Sequence, residues 1–266
     1  MHLKQTRSTN DLALQNSELL KKNGLVIVTD IQTAGRGRKG RKWQSSMEGN
    51  LYATFILHDH FRTPVLPYIT IIMGLAVHNT LAGHAMPYHC MALSDCSIKW
   101  PNDCLVGRRK IAGILVETRG EVMVIGIGVN IRGKVEDYPV NLQSRLTTVE
   151  AECRGLERPC PTVTPPLTFP SQLPGARCVY LHRFDFLRTL IENINGLLDQ
   201  FNNTGASSII YLWTDSSSSI GRRVLVTEGK HSVEGVIQGI TEKGFLLLRQ
   251  DDHSTIEIIS GDVEFI

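Results

Sequence analysis

The 266-residue sequence has no apolar run long enough to cross a membrane as a helix. Its longest near-apolar stretch, YITIIMGLAV at 68–77, has ten residues, whereas a spanning helix needs ~20. The start, MHLKQTRSTND, lacks an apolar h-region, so no secretory signal is expected. No C-x-x-C pair occurs among Cys90, Cys96, Cys104, Cys153, Cys160 and Cys178, and no histidine cluster stands near them at zinc spacing. Scattered thiols of this kind read as small buried hydrophobes, reduced, in an intracellular, cytoplasmic protein. Neither sign of charge is in excess: 28 basic against 26 acidic residues leave a net +2. That excludes a chain that coats nucleic acid with its whole surface, but not a local basic site. There is no internal repeat and no G-x-S-x-G signature of an acyl-enzyme nucleophile.

What is present is globular usage, with 42% apolar and 20% charged residues. The length predicts one large domain, or one with a small appendage. A short polar helix is expected over 11–22, ended by Gly24. LVIVTDI (25–31) and LYATFIL (51–57) read as strands around a loop at 33–50 rich in Gly, Arg and Lys. Helical spacing runs over 66–83. SIKW (97–100) is expected to be extended because Pro101 disfavours helix before it. CLV (104–106) and KIAGILVET (110–118) form a hairpin turning at 107–109, and EVMVIGIGVNI (121–131) is another strand. Six of the eleven prolines fall within 145–181, predicting a loop insertion with little regular structure. Leu187, Leu190, Ile191, Ile194, Leu197, Leu198 and Phe201 give one apolar helix face over 183–203. TDSSSS (214–219) reads as a linker. About five short alternating strands follow and predict a small β-barrel.

GRGRKGRKW (35–43) is the sharpest feature. Arg36, Arg38, Lys39, Arg41 and Lys42 place five cations in seven residues, with no acid between Asp30 and Glu48. Gly35, Gly37 and Gly40 let the backbone approach a ligand closely. A polyanion could offset the entropy of ordering such a loop. Three other readings stay open: a dinucleotide fingerprint, a nucleic-acid patch, or a solvated loop without a role. The first needs a helix to follow, and RKWQSSMEGN does not look like one.

IKWPND (98–103) joins an ammonium, an indole, a kink and two oxygen donors, Asn102 and Asp103, of the kind that Mg²⁺ takes. On local grounds alone a simple turn is the better explanation. In the hairpin, the ammonium of Lys110 can come back near Asp103, or it can merely snorkel at a sheet edge. Gly113 permits close backbone approach. GIGVN (126–130) ends a strand at Asn130 and could be only a bulge and turn.

Together these strings resemble the biotin–protein ligase family. STN (8–10), Gln32 with GRGRKGRKW, KWPND (99–103), K-x-A-G-I-L-V-E (110–117) and GIGVN occur in that family's order, strongly over residues 1–140 and more weakly beyond. The resemblance implies an α+β fold: a mixed sheet flanked by helices, class II synthetase-like, over 1–215, and an SH3-like barrel over 220–266. It implies activation of biotin by ATP and Mg²⁺ to biotinyl-5′-AMP, then transfer to the acceptor lysine of a carboxylase's biotin-carrier domain. By matching position, Ser8, Thr9, Asn10, Gln32, Gly35, Arg36, Gly37, Arg38, Lys110 and Gly113 would bind biotin. Arg38, Arg41, Trp43, Asn102, Lys110 and Asn130 would bind nucleotide, and Asn102 and Asp103 the metal. Lys110, Arg38 and Arg36 would carry the catalysis, with no redox cofactor, membrane or specific nucleic acid involved. The family's proline after Trp-x-Ser is Ser46 here, and the match starts at Ser8, so no DNA-binding winged helix is expected. A lipoate or octanoate transferase is the alternative enzyme, and a nucleic-acid module using 36–42 the alternative of another class.

Overall fold

A computed structural model describes residues 1–59, 66, 68–85, 93, 95–153 and 182–266. Twelve strands among them form two sheets. The first has seven strands in the order β1 (His2–Thr6), β2 (Val26–Gln32), β3 (Leu51–His58), β7 (Val122–Val129), β6 (Arg109–Arg119), β5 (Asp103–Val106) and β4 (Cys96–Lys99). Only β1 and β2 run parallel; the other neighbours are antiparallel. The expected mixed sheet is therefore present, with an N-terminal edge strand that carried no pattern of its own in the sequence.

Alternation along these strands separates two faces. Leu51, Ala53 and Phe55 of β3, and Met123, Ile125, Ile127 and Val129 of β7, enter the main core with Ala112 and Ile114 of β6. The helix α3 (Ile69–Ala85) covers that face, followed by α4 (Arg183–Thr204) and α5 (Ala206–Ser216). The apolar stripe expected on α4 is buried through Leu187, Leu190, Ile194, Leu197, Leu198 and Phe201, and Ile191 packs against it. On the opposite face, Ala13 and Leu20 cover Ile27, Ile56 and Val124.

Four expectations change. The helix over 11–22 is two short ones, α1 (Thr9–Gln15) and α2 (Ser17–Leu20). Asn16 between them is extended, and its side chain accepts from the amides of Glu18 and Leu19, so it caps the second helix instead of continuing the first. The insertion at 145–181 begins with regular structure: Val149–Cys153 is helical and Cys153 is buried. Residues 154–181, with Cys160 and Cys178, lie outside the described residues, as does Cys90. The linker at 214–219 is not free. Thr214–Ser216 end α5, Ser217 Oγ donates to Ile98 O (3.1 Å), Ser218 bonds Ser97 (2.7 Å), and Ser219 is buried. The hydroxyls of Ser217 and Ser218, of the kind that match solvent in a sequence, are here satisfied by β4. Finally, the loop at 33–50 holds a three-residue 3₁₀ turn, Arg38–Gly40, with Lys39 in the left-handed region (φ 55°).

The second sheet has five antiparallel strands in the order β11 (Thr255–Ile258), β10 (Leu246–Arg249), β9 (His231–Ile240), β8 (Arg223–Glu228) and β12 (Asp262–Phe265). Gly229 and Gly244, both at positive φ, sit in the expected turns. Val224, Val226, Ile237, Leu246, Leu248 and Val263 share one buried cluster with the first sheet, and Trp100 Nε1 donates to Gly244 O (3.2 Å). Cys96 and Cys104 are free thiols as expected; burial pushes the first up to about 12 and the second well above its usual range.

Asn50 ties the sheet together just before β3. Fully buried, its Oδ1 accepts from the amides of Ile131 and Arg132, both at 2.7 Å. Its Nδ2 donates to the hydroxyls of Tyr52 (3.2 Å) and Tyr138 (3.0 Å). Asn50→Ala removes the acceptor of the buried Ile131 amide and the partly buried Arg132 amide and is expected to lower stability by roughly 2–4 kcal/mol. Urea denaturation checks this; an unchanged midpoint would show that water replaces the side chain without loss.

Candidate functional site

On the face away from the main core, the register produces rows of side chains across β3, β7 and β6. One row is Tyr52–Gly128–Gly113 and continues to Asp103 on β5; the next is Thr54–Gly126–Leu115; a third is Ile56–Val124–Glu117. Glycines therefore leave a shallow trough where side chains would stand. A cleft of about 770 Å³ opens over it, within the size range of small-molecule sites.

One end of the cleft is a hydrogen-bonded network of mostly uncharged side chains. Ser8 caps α1, its Oγ accepting from Asp11 N (3.3 Å). The amide and hydroxyl of Thr9 donate to Gln32 Oε1 (2.9 and 3.1 Å), and Gln32 Nε2 donates to Ser45 Oγ (3.0 Å). Thr54 Oγ1 lies 2.7 Å from Thr9 Oγ1 and 2.6 Å from Asn10 Oδ1. Asn10 Nδ2 donates to Glu117 (2.9 Å). Gly35 must be small, because a Cβ there would sit 2.5 Å from Ser45 Oγ. Thr54, Ser45 and Glu117 belong to this network but carried no distinct signal: Thr54 hides in an apolar strand, and only its outward phase could have exposed it.

The basic loop folds over the other end, and its cations have divided tasks. Arg36 contacts both Glu117 oxygens (2.9 and 2.8 Å) and Asp11 (2.6 Å), which outweigh burial and raise its pKa. It anchors the loop to α1 and β6. Arg38 Nη1 donates to Asn102 Oδ1 (3.0 Å); burial, with Arg41 nearby, lowers its pKa against the pull of Asp262 and Asp103. Lys39 (3.3 Å) and Arg41 reach Asp262 of the second sheet. Partial burial would raise the Asp262 carboxyl, but Arg41 and Lys39 hold it below its ordinary value. Gly37 N donates to Arg41 O (2.7 Å), and a Cβ on Gly37 would meet Arg41 only at an ordinary contact distance (3.5 Å). No helix follows the loop, so the dinucleotide reading fails among the described residues.

Trp43 lies across the glycine trough. A Cβ on Gly128 would come within 2.5 Å of its ring, and one on Gly113 within 3.0 Å of it and 2.9 Å of Lys110 Cε. The Trp43 Nε1 is buried with no acceptor among the described residues. Lys110 Nζ is 5.0 Å from the indole centroid and 2.6 Å from Asp103 Oδ1, an ion pair and not an aligned hydrogen bond. The hairpin thus returns Lys110 to Asp103. Asn130 lines the cleft, buried, and donates to Thr147 O (3.1 Å). All the expected site residues except Gly35 line this one cleft, and Gly35 packs against its wall.

The donors proposed for Mg²⁺ do not fit a protein-held ion in this arrangement. Asn102 Oδ1 accepts from Arg38 and its Nδ2 donates to Ile114 O (2.9 Å), which leaves one carboxylate, Asp103, already paired with Lys110. No group of three His, Cys, Asp or Glu able to hold a metal occurs among the described residues.

A mixed sheet with a glycine-floored cleft, closed by a basic loop that reaches a small antiparallel sheet, defines the biotin/lipoate ligase type of fold. Residues 2–132 match the Biotin/lipoate A/B protein ligase family and residues 219–266 the Biotin protein ligase C terminal domain. A biotin–[acetyl-CoA-carboxylase] ligase of Paracoccus denitrificans is 27% identical over 252 residues, covering 93% of this chain and 92% of that one. The bifunctional ligase/repressor BirA of Escherichia coli is 28% identical over 250 residues, 92% of this chain and 67% of its own length. A biotin protein ligase from Aquifex aeolicus, solved with biotin and ATP, superposes with a TM-score of 0.76 at 25% identity, over 100% of this chain and 97% of that one. The chain belongs to the biotin protein ligase family of enzymes.

Proposed function

We propose that this enzyme activates biotin with ATP and transfers it to a lysine of a biotin-carrier domain. One observation carries the reading: the hydrogen-bonding side chains of Ser8, Thr9, Asn10 and Gln32 and the cations Arg38, Arg41 and Lys110 line one cleft. Ser8, Thr9, Asn10 and Gln32 suit a neutral ureido ring with both donors and acceptors. Its carboxylate would extend over Gly113 towards Lys110, Arg38 and the Arg36-anchored loop. A carboxylate oxygen attacks the α-phosphorus, the α–β bridging P–O bond breaks, and pyrophosphate leaves with the electron pair. Lys110 and Arg38 offset the charge of two anions brought together. Trp43, with Arg41, Asn102 and Asn130 along the same cleft, would receive the nucleotide, the indole stacking on the base. The acceptor amine then attacks the acyl carbon, loses a proton and releases AMP. We read residues 1–215 as the catalytic part, and 220–266 as a smaller unit that steadies the basic loop through Asp262.

The test is incubation with biotin, MgATP and a biotin-carrier domain. The expected result is a gain of one biotinyl group on the carrier, by mass spectrometry, and pyrophosphate exchange supported by biotin. Exchange with lipoate and none with biotin would reassign the substrate. No nucleotide turnover, with salt-sensitive DNA binding, would move the basic loop to nucleic acid.

A further inference from the structure

Lys110 and Asn130 reach the cleft from different places, the start of β6 and the end of β7, and a third segment ties them together. Lys110 pairs in parallel with Leu146. Lys110 N donates to Arg145 O (2.8 Å), and Thr147 N donates to Lys110 O (3.0 Å). Asn130 Nδ2 donates to Thr147 O (3.1 Å), and Val149 N donates to Asn130 O (2.9 Å). Thr147 is thus the residue whose amide meets Lys110 and whose carbonyl meets Asn130. It is fully buried.

The hydroxyl of Thr147 is fixed in turn. Its Oγ1 donates to Glu152 Oε1, and Arg109 Nη2 donates to the same oxygen (2.7 Å). The Glu152 side chain is only 9% exposed, so these two donors replace most of the water its carboxylate has given up. Glu152 N donates to Thr148 O (3.1 Å), which anchors the acid in the short Val149–Cys153 helix. One carboxylate oxygen therefore braces the residue before Lys110 against the residue that bonds the Lys110 carbonyl. Neither Thr147 nor Glu152 lines the cleft. Any effect they have on the chemistry passes through Lys110 and Asn130, which do.

We propose that Glu152 is a positioning residue for biotin activation: by holding Arg109 and Thr147 on one oxygen, it keeps Lys110 and Asn130 in register at the cleft. This rests on the reading of the cleft as a biotin-activating site. Asp103 holds the tip of the lysine, 2.6 Å from Nζ, and Glu152 holds its base. A group aimed at developing charge is effective only where its position is fixed, and a shift of about 1 Å can cost on the order of 10²-fold.

The experiment measures biotin-dependent pyrophosphate exchange in the full-length wild type, Glu152→Ala, Glu152→Gln, Lys110→Ala and the Lys110→Ala/Glu152→Ala double variant. Glu152→Ala is expected to lower kcat by about tenfold, the size of one hydrogen bond to a charged group. KM for biotin should stay within about twofold, a difference too small to report a lost contact, because the ureido network around Thr9 and Gln32 is remote from the brace. Glu152→Gln keeps an oxygen that can accept from both donors and should recover most of the loss. In the Lys110→Ala background, Glu152→Ala should cost no more than about twofold further, since residues acting through one another are not additive. An unchanged kcat in Glu152→Ala would overturn the assignment. So would a Glu152→Gln variant as slow as Glu152→Ala, or the same loss with and without Lys110, which marks a merely structural role. Should Glu152→Ala not fold, Thr147→Val removes the other half of the brace and decides by the same comparison: a loss confined to the background with Lys110 supports the proposal, and an equal loss in both, or none, opposes it. Absence of biotin-dependent exchange in the wild type would instead sink the function on which the proposal rests.

Discussion

Lys110→Ala is expected to slow adenylate formation by about 10²–10³-fold while leaving the fold intact. The magnitude is that of removing one preorganised group aimed at developing charge. The direction follows from the surroundings of the side chain. Its Nζ is held 2.6 Å from Asp103 and 5.0 Å from the Trp43 ring, above a trough that Gly113 and Gly128 keep clear. The backbone of Lys110 is fixed independently of the side chain, its amide donating to Arg145 O (2.8 Å) and its carbonyl accepting from Thr147 N (3.0 Å). Truncation therefore removes the ammonium without loosening the strand. About 31% of the side chain is exposed, so the ion pair itself contributes little to stability. Biotin-dependent pyrophosphate exchange, beside a thermal melt, separates the two effects. Exchange at the wild-type rate would remove Lys110 from the chemistry.

Gly128→Val should be nearly as damaging, for a steric reason. A Cβ at this position would stand 2.5 Å from two atoms of the Trp43 ring, too close for either to remain. Neither is the end of a flexible chain, so the whole indole must leave the trough. The substituted residue faces the cleft and not the main core, since its neighbours Ile127 and Val129 point the other way. Stability should thus change by no more than about 1 kcal/mol, while KM for ATP rises by at least about tenfold, the equivalent of some 1.4 kcal/mol of binding. Trp43 fluorescence offers a second readout: Trp100 and Trp213 are buried, so a red shift on substitution reports the displaced ring. An unchanged KM for ATP would mean that Trp43 has no part in holding the nucleotide.

Much of the fold was legible because its signals are local. The β-branched and glycine-bearing runs at 25–31, 51–57, 110–118 and 121–131 became strands, and the stripe from Leu187 to Phe201 was buried as written. Misreadings occurred where the same residue types serve two purposes. Asn16 reads as the interior of a polar helix and is a cap; Ser217 and Ser218 read as a solvated link and bond β4. Strand β1 left no trace because it is a short, half-exposed edge.

The site divides in the same way. The residue types, cations on a glycine loop, an amide and carboxylate after Pro101, and glycines at alternate positions of β7, stand in the sequence because side-chain chemistry and strand period are local properties. Which cation does what could not be read there. Arg36 became an anchor because Asp11 and Glu117 converge on it, Arg41 turned to Asp262 from more than two hundred residues away, and Arg38 met the neutral amide of Asn102. Charge pairing acts through space over a few ångströms, so only the folded chain, which brings distant acids to some cations and withholds them from others, decides which charges remain free for a ligand.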